Sequence, residues 1–281
     1  MKKVIVFIGV LALLVGATKI EVKAQIIDGV YKRVDLSNRK PTPLPYVREA
    51  DVMWRKKVWR IIDLREKMNQ PLYFPTKETE GRYSLVNLLI EGIKNGKLTA
   101  YSEDEFKTPI TYEQVREAFG ATTKIRKVRN VDTGALEEKS VTGEIRTQEV
   151  KQFMVKEEWY FDKQTSTMNV RIIGFCPIKE FYRDDDTNQE NVQRSQVFWI
   201  YYPEAREVLA TSAVFNPLNT ANNTSFDDVF LKRRFNSYIV KEENIYDNRA
   251  ISQYLSGKDA MLESRKIEKS IFDFEQNLWE Y

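Results

Sequence analysis

The sequence predicts an α+β fold, with a central, mostly antiparallel sheet, flanking helices, and long amphipathic helices near both ends. Three observations carry that expectation. The segment Tyr46–Asn69, placed at 100° per residue, gathers Val47, Ala50, Trp54, Val58, Ile61, Ile62 and Met68 on one arc, between the prolines at 41, 43 and 45 and Pro71. The middle of the chain holds strand-forming runs separated by turn residues, such as Glu157–Phe161, then Asp162–Ser166, then Thr167–Phe175. Near the end, Ile267, Ile271, Phe274, Leu278 and Tyr281 recur at steps of 4, 3, 4 and 3, an apolar stripe on a charged helix.

Taken in order, Lys2 and Lys3 precede the apolar run Val4–Val15, and Val22-Lys23-Ala24 offers a small-residue cleavage site. Residues 1–24 therefore read as a cleaved secretory signal, with Gln25 as the mature N-terminus. The apolar run is too short to span a bilayer comfortably, and no cysteine follows it to accept a lipid. Residues 25–45 read as an extended arm, pinned to a surface by Ile26, Ile27, Val30, Tyr31 and Leu36. Residues 46–281 form the α+β domain, with a possible sub-domain boundary near 121–149. Past the first predicted helix, Pro71–Pro75 is a turn or short strand. Leu85–Ile93 is a helix ended by Asn95-Gly96, Lys97–Tyr101 a strand, and Tyr112–Phe119 a helix begun at Thr111 and closed by Gly120.

Residues 121–148 are polar, and the basic stretch Lys124–Arg129 is offset by Glu137, Glu138 and Glu144, as in a solvated loop or exposed hairpin. Pro177 is expected to end the pairing of the second hairpin strand or to mark an edge. The triplet Asp184–Asp186 lacks the glycine and distal glutamate of a calcium loop and reads as a solvated turn. Gln196–Tyr202 is apolar on both faces and belongs in the middle of the sheet. Arg206–Phe215 is a strand or short helix, and Pro217–Asn223 a loop. Ser225-x-x-Asp228 starts a helix running to Phe235, Ser237–Lys241 is a last strand, and Asp247–Leu255 is a helical piece interrupted by Gly257.

Composition narrows the chemistry. The chain has 44 Lys and Arg against 41 Asp and Glu, and loss of residues 1–24 leaves 40 of each. The mature protein is electrically neutral, with no general pull toward nucleic acid or anionic lipid. It contains no histidine, the commonest general base and metal ligand. The lone Cys176 sits in the apolar Ile172–Ile178 and reads as a small buried hydrophobe rather than a reactive thiol. No phosphate loop, nucleophile elbow or metal-ligand spacing is present, and adjacent carboxylates such as Glu157-Glu158 point to opposite sides of a strand. The expectation is a protein without catalysis, cofactor or metal.

Several long motifs resemble one family. Tyr46-Val-Arg-Glu-Ala-Asp-Val-Met-Trp54, Trp59-Arg-Ile-Ile-Asp-Leu-Arg-Glu-Lys67 and Pro71-Leu-Tyr-Phe-Pro75 are similar to the GldN/PorN family of periplasmic components of the type IX secretion and gliding machinery. Phe198-Trp-Ile-Tyr-Tyr-Pro203, Val214-Phe-Asn-Pro217 and Phe226-Asp-Asp-Val-Phe230 extend the resemblance over most of the mature chain. The resemblance implies a structural subunit of a periplasmic ring, held beneath the outer membrane by an outer-membrane lipoprotein of the GldK/PorK type. It also implies contact with the periplasmic part of a GldM/PorM-type motor component, and self-association within the ring.

Trp59 and Val52 fall in the middle of the predicted helix's charged side, beside Arg55 and Asp63. Two readings are open: another element of the domain covers Trp59, as large aromatics usually require, or Trp59 anchors a partner. Val52, Arg55, Trp59 and Asp63 are accordingly one set of candidate interface residues. Ile271, Phe274, Leu278, Trp279 and Tyr281 on the C-terminal helix are the other, that stripe suiting either its own sheet or a partner's groove. A different class, a periplasmic carbohydrate-binding or carbohydrate-active protein, rests on Trp159, Trp199, Tyr201 and Tyr202 as stacking platforms. A deep carboxylate-lined pocket favours that class, and a flat or convex aromatic surface favours assembly.

Overall fold

The computed structural model describes residues 36, 38–79, 81–121, 123–129, 136–182, 191–216, 219 and 223–278. The predicted signal, most of the arm, Asp184–Asp186, Trp279 and Tyr281 lie outside these residues.

The largest correction concerns residues 46–69. In place of a long helix there is a single turn at Glu49–Asp51 followed by a strand, β1 (Val52–Asp63). The helical arc was real but ambiguous. Trp54, Val58 and Ile62 are four apart, and an even step also keeps residues on one face of a strand. Val52 precedes them and Trp59 and Ile61 stand between them, and this density of β-branched and aromatic side chains favours a strand that is buried on both faces. Pro71 does not stop a helix but sits in the first turn of one, α1 (Gln70–Tyr73).

The chain continues through α2 (Leu85–Lys94), β2 (Ala100–Tyr101), β3 (Pro109–Ile110) and α3 (Tyr112–Ala118). Ser84 caps α2, and Thr111 with Gln114 forms a reciprocal capping box on α3. Gly96 and Gly120 take left-handed backbone, φ +68° and +80°, just past the two helix ends. β4 (Thr123–Arg129) and β5 (Leu136–Thr142) make a separate two-stranded hairpin. β6 (Val150–Asp162) and β7 (Thr167–Phe181) form the longest hairpin, its turn held by Gln164 and Thr165 donating to the Asp162 carboxylate at 2.9 and 3.1 Å. Pro177 does not end β7. It pairs with Phe153, and its carbonyl accepts from Val197 N–H at 3.1 Å, so the missing N–H costs the ladder little.

Then come β8 (Gln193–Gln196), β9 (Trp199–Tyr201), α4 (Tyr202–Ala210), α5 (Phe226–Leu231), β10 (Tyr238–Glu242) and α6 (Gly257–Asn277). Residues 247–255, expected to be helical, hold a turn and the single 3-10 turn Ile251–Gln253. Among the described residues the sheet has eight strands in the order β10-β1-β6-β7-β9-β2-β3, with β8 beside β7 and every pairing antiparallel.

Alternation along β1 sends Trp54, Val58, Arg60 and Ile62 to one face and Arg55, Lys57, Trp59 and Asp63 to the other. The first face carries the helices. Ile62, Phe153 and Phe175 pack with Leu85 and Leu89 of α2, Leu209 of α4 and Phe226 and Phe230 of α5. The Phe175 and Phe230 rings stack at 5.6 Å, nearly parallel at 6°. Farther along the same face, α6 lays Ile267 and Ile271 on Val58 and Ile239. Buried charge on this side is paired: Arg206 grips Asp227 with two bonds of 3.0 and 3.1 Å while the Tyr202 hydroxyl donates to the same carboxylate at 2.8 Å. Glu157, fully buried, accepts two bonds from Arg233 at 2.9 and 3.2 Å.

The visible part of the arm is extended and held by arginines. Arg39 pairs with Asp228 at 2.8 Å, Arg206 donates to the Thr42 carbonyl, and Arg171 of β7 donates to the Pro45 carbonyl. Among the described residues, no strand pairs with the edge of β7 opposite β6 over residues 167–173. A strap with prolines at 41, 43 and 45 offers few N–H groups for a ladder, which suits a cover rather than a ninth strand.

Candidate functional site

Among the described residues, no helix lies on the second sheet face. Its cover is the loop linking β2 to β3, which drops Phe106 onto the sheet with left-handed backbone, φ 57°. Phe106 lies against Tyr101, Trp199 and Tyr201 at centroid distances of 5.6, 6.2 and 5.4 Å. Gly174 of β7 makes the room. A Cβ there would stand 2.4 Å from the Phe106 ring and 2.6 Å from the Ile200 carbonyl.

Beside Phe106 lies Trp59, only 3% exposed, packed with Cys176 and Trp199. Its indole N–H donates to the Asp104 carboxylate at 2.9 Å. Lys156 donates to the Asp104 carbonyl at 2.7 Å and stands 3.5 Å from its carboxylate. Burial holds the Lys156 ammonium below the ordinary lysine range, with Asp104 opposing the shift. The Lys241 ammonium sits 4.1 Å from the Trp59 ring centroid, a cation–π contact. Burial pushes the Cys176 thiol up to about 12, so it is inert.

Above this cluster runs a groove of about 650 Å³. Its floor is Trp59, Met154, Trp199 and Val240, one wall is Ser102–Asp104, and the other is the turn after β10. That turn is wired by two asparagine side chains. Asn244 donates to the carbonyls of Glu242 and Arg249 at 3.1 and 3.2 Å, and its Oδ1 accepts from Tyr246 N–H at 3.0 Å. Asn248 in turn accepts from Asn244 N–H at 2.9 Å, while Asp247 and Asn248 both adopt left-handed backbone, which Asp and Asn tolerate.

The structure redistributes the predicted interface residues. Val52, Arg55, Trp59 and Asp63 do share one face, the helix-free one, because their spacing is even apart from a bulge at Val52. Val52 and Arg55 line a small hollow with Tyr160 and Arg171, and Arg55 pairs with Glu158 at 2.8 Å. Asp63 is bonded by Arg65 and Gln152, and the Arg65 guanidinium holds its carboxyl down to about 2. Trp59 is not an exposed anchor; the sheet and the 102–108 loop cover it. On α6, Ile271 is buried against the sheet, and Phe274 stacks on Trp54 at 4.6 Å, so both are used inside the fold. Leu278 is exposed at the helix end. Sequence reasoning missed Asp104, Phe106, Lys156 and Arg249. An Asn-x-Tyr-x-Asn-Arg run at 244–249 is a turn signal that could have marked the last of these.

The four aromatics behind the carbohydrate reading are structural. Trp199 and Tyr202 are buried, Tyr201 packs on Phe106, and Trp159 carries the Arg233 guanidinium over its ring. None stands exposed as a stacking platform.

Among the described residues no helix is long and apolar enough to cross a membrane. A family model described as "Gliding motility associated protein GldN" matches residues 47–280. No curated protein matches the chain.

Proposed function

The chain belongs to the GldN family, and from that premise we propose that it is a non-catalytic structural subunit of the periplasmic ring of the type IX secretion system. Association with gliding motility and type IX secretion comes with the family. In this reading the chain is exported, loses residues 1–24, and acts without cofactor in the periplasm. It is held at the outer membrane by a GldK/PorK-type lipoprotein, touches the periplasmic part of a GldM/PorM-type component, and repeats around a ring. It serves protein secretion across the outer membrane and, where present, gliding.

Family membership is the observation that carries this proposal. The surface supports it: an antiparallel sheet with one face free of helices among the described residues leaves mixed-charge area for neighbours. Exposed Tyr46, Ile245, Tyr246 and Phe272 are apolar groups that solvent alone does not reward.

The test is co-expression of residues 25–281 with and without the soluble domain of a GldK/PorK-type lipoprotein, each product weighed by mass photometry. A large, discrete joint species is expected. A monomer indifferent to that domain overturns the ring reading.

A further inference from the structure

The turn after β10 is built to hold two side chains in water. Ile245 is 90% exposed and Tyr246 is 59% exposed, yet the backbone beneath them is fixed by the Asn244 and Asn248 bonds. Arg249 sits between two rings, 4.6 Å from the Tyr246 centroid and 4.5 Å from that of Tyr254. The two ring contacts restrain the guanidinium, while among the described residues its N–H groups meet no acceptor and no carboxylate lies within ion-pair distance. A stacked arginine with a free edge is a fork shaped for a carboxylate. Lys241, on the same side of the groove, likewise has no carboxylate partner among the described residues; its ammonium rests on Trp59.

The opposite wall differs. Asp104 is already engaged by the Trp59 indole and by Lys156. Glu103 on that wall and Asp247 on the turn are the remaining acids along the groove, so it is not uniformly basic. Charge complementarity therefore favours Lys241 and Arg249 over the Glu103–Asp104 wall for an incoming carboxylate. Met154, Val240 and Trp199 supply an apolar floor beside it.

We propose that this groove and turn form a docking site for an extended, carboxylate-bearing peptide segment of a protein partner. The acidic side chain is forked by Arg249 with help from Lys241, and neighbouring apolar side chains lie on the floor and against Tyr246 and Ile245. The turn needs no ordering on binding, which lowers the cost of association. The site gives the assembly reading a particular surface and rests on that reading for its biological partner, but its chemistry is testable alone.

The probe is a fluorescein-labelled eight-residue peptide of alternating Glu and Val, with Gln/Val and Lys/Val versions as controls, read by fluorescence anisotropy on residues 25–281. Saturable binding of the Glu peptide is expected, at least about tenfold tighter than either control, with hydrogen-exchange protection at 101–104 and 240–254. Arg249→Ala should weaken it about tenfold, whereas Lys266→Ala on the outer face of α6 should not. Equal binding of all three peptides, no binding up to millimolar peptide, or an unaffected Arg249→Ala overturns the proposal. A chain that binds the peptide but forms no large species keeps the groove and loses the ring. One that assembles but ignores the peptide does the reverse.

Discussion

The two faces of this sheet are stabilised differently. The helix-covered face buries a continuous apolar core, with Phe175 and Phe230 stacked at its centre and its charges paired off as Arg206–Asp227 and Arg233–Glu157. The helix-free face holds a small aromatic cluster around Trp59, plugged by one phenylalanine and tied by one indole–carboxylate bond. The first face carries most of the folding free energy; the second carries groups that remain available to another molecule. A scaffold subunit needs both, and here they are separated by the thickness of one sheet.

That division can be broken in graded steps. The largest effect belongs to the covered face: Phe230→Ala removes a fully buried ring that touches Phe175, Tyr202 and Phe235, and should cost about 4 kcal/mol in urea unfolding. A loss below about 1 kcal/mol would mean that the core does not dominate. Gly174→Ala on the other face forces Phe106 off the sheet; a stability loss of about 2 kcal/mol is expected, with altered Trp59 and Trp199 fluorescence. Unchanged emission would show that the plug is dispensable.

Trp59→Phe keeps an aromatic side chain but deletes the indole N–H and part of the buried ring system, leaving Asp104 to Lys156 alone. Thermal unfolding should report about 1 kcal/mol. The smallest effect concerns Asp63, whose folded pKa near 2 lies below the ordinary 3.8 because of Arg65. A depressed carboxyl stabilises the fold above the unfolded pKa and loses that contribution as pH falls from about 4 toward 2. Because Arg65 is half exposed, roughly 1 kcal/mol is the ceiling, and Asp63→Asn should flatten the stability–pH curve in that window only.

Local signals were legible where they are local. The helices α2, α3 and α5 and the β6–β7 hairpin follow from Thr111, Ser225, Gly96, Gly120 and the Asp162 turn, each of which fixes backbone within a few residues. The strand β1 was missed because its apolar positions at 54, 58 and 62 satisfy both periods, and its two-sided burial depends on β10 and β6, which are far away in sequence. Steps of 3, 4 and 4 grouped Val52, Arg55, Trp59 and Asp63 on one side of a helix; the two steps of 4, with the bulge at Val52, keep them on one face of the strand instead. The groove was not legible at all. It joins residues near 59, 104, 154, 199 and 249, and nothing but the sheet order places them together.

The single cysteine gives this architecture a built-in clock. Cys176 is wholly enclosed between Trp59 and Trp199, on the face without helices, and its thiol is too weakly acidic to react while covered. Its rate of modification therefore counts how often the Phe106 plug lifts away, a local opening that can occur without melting the helix-backed core. Any molecule that seats over Trp59 should slow that clock, and no label, tag or added residue is needed to read it.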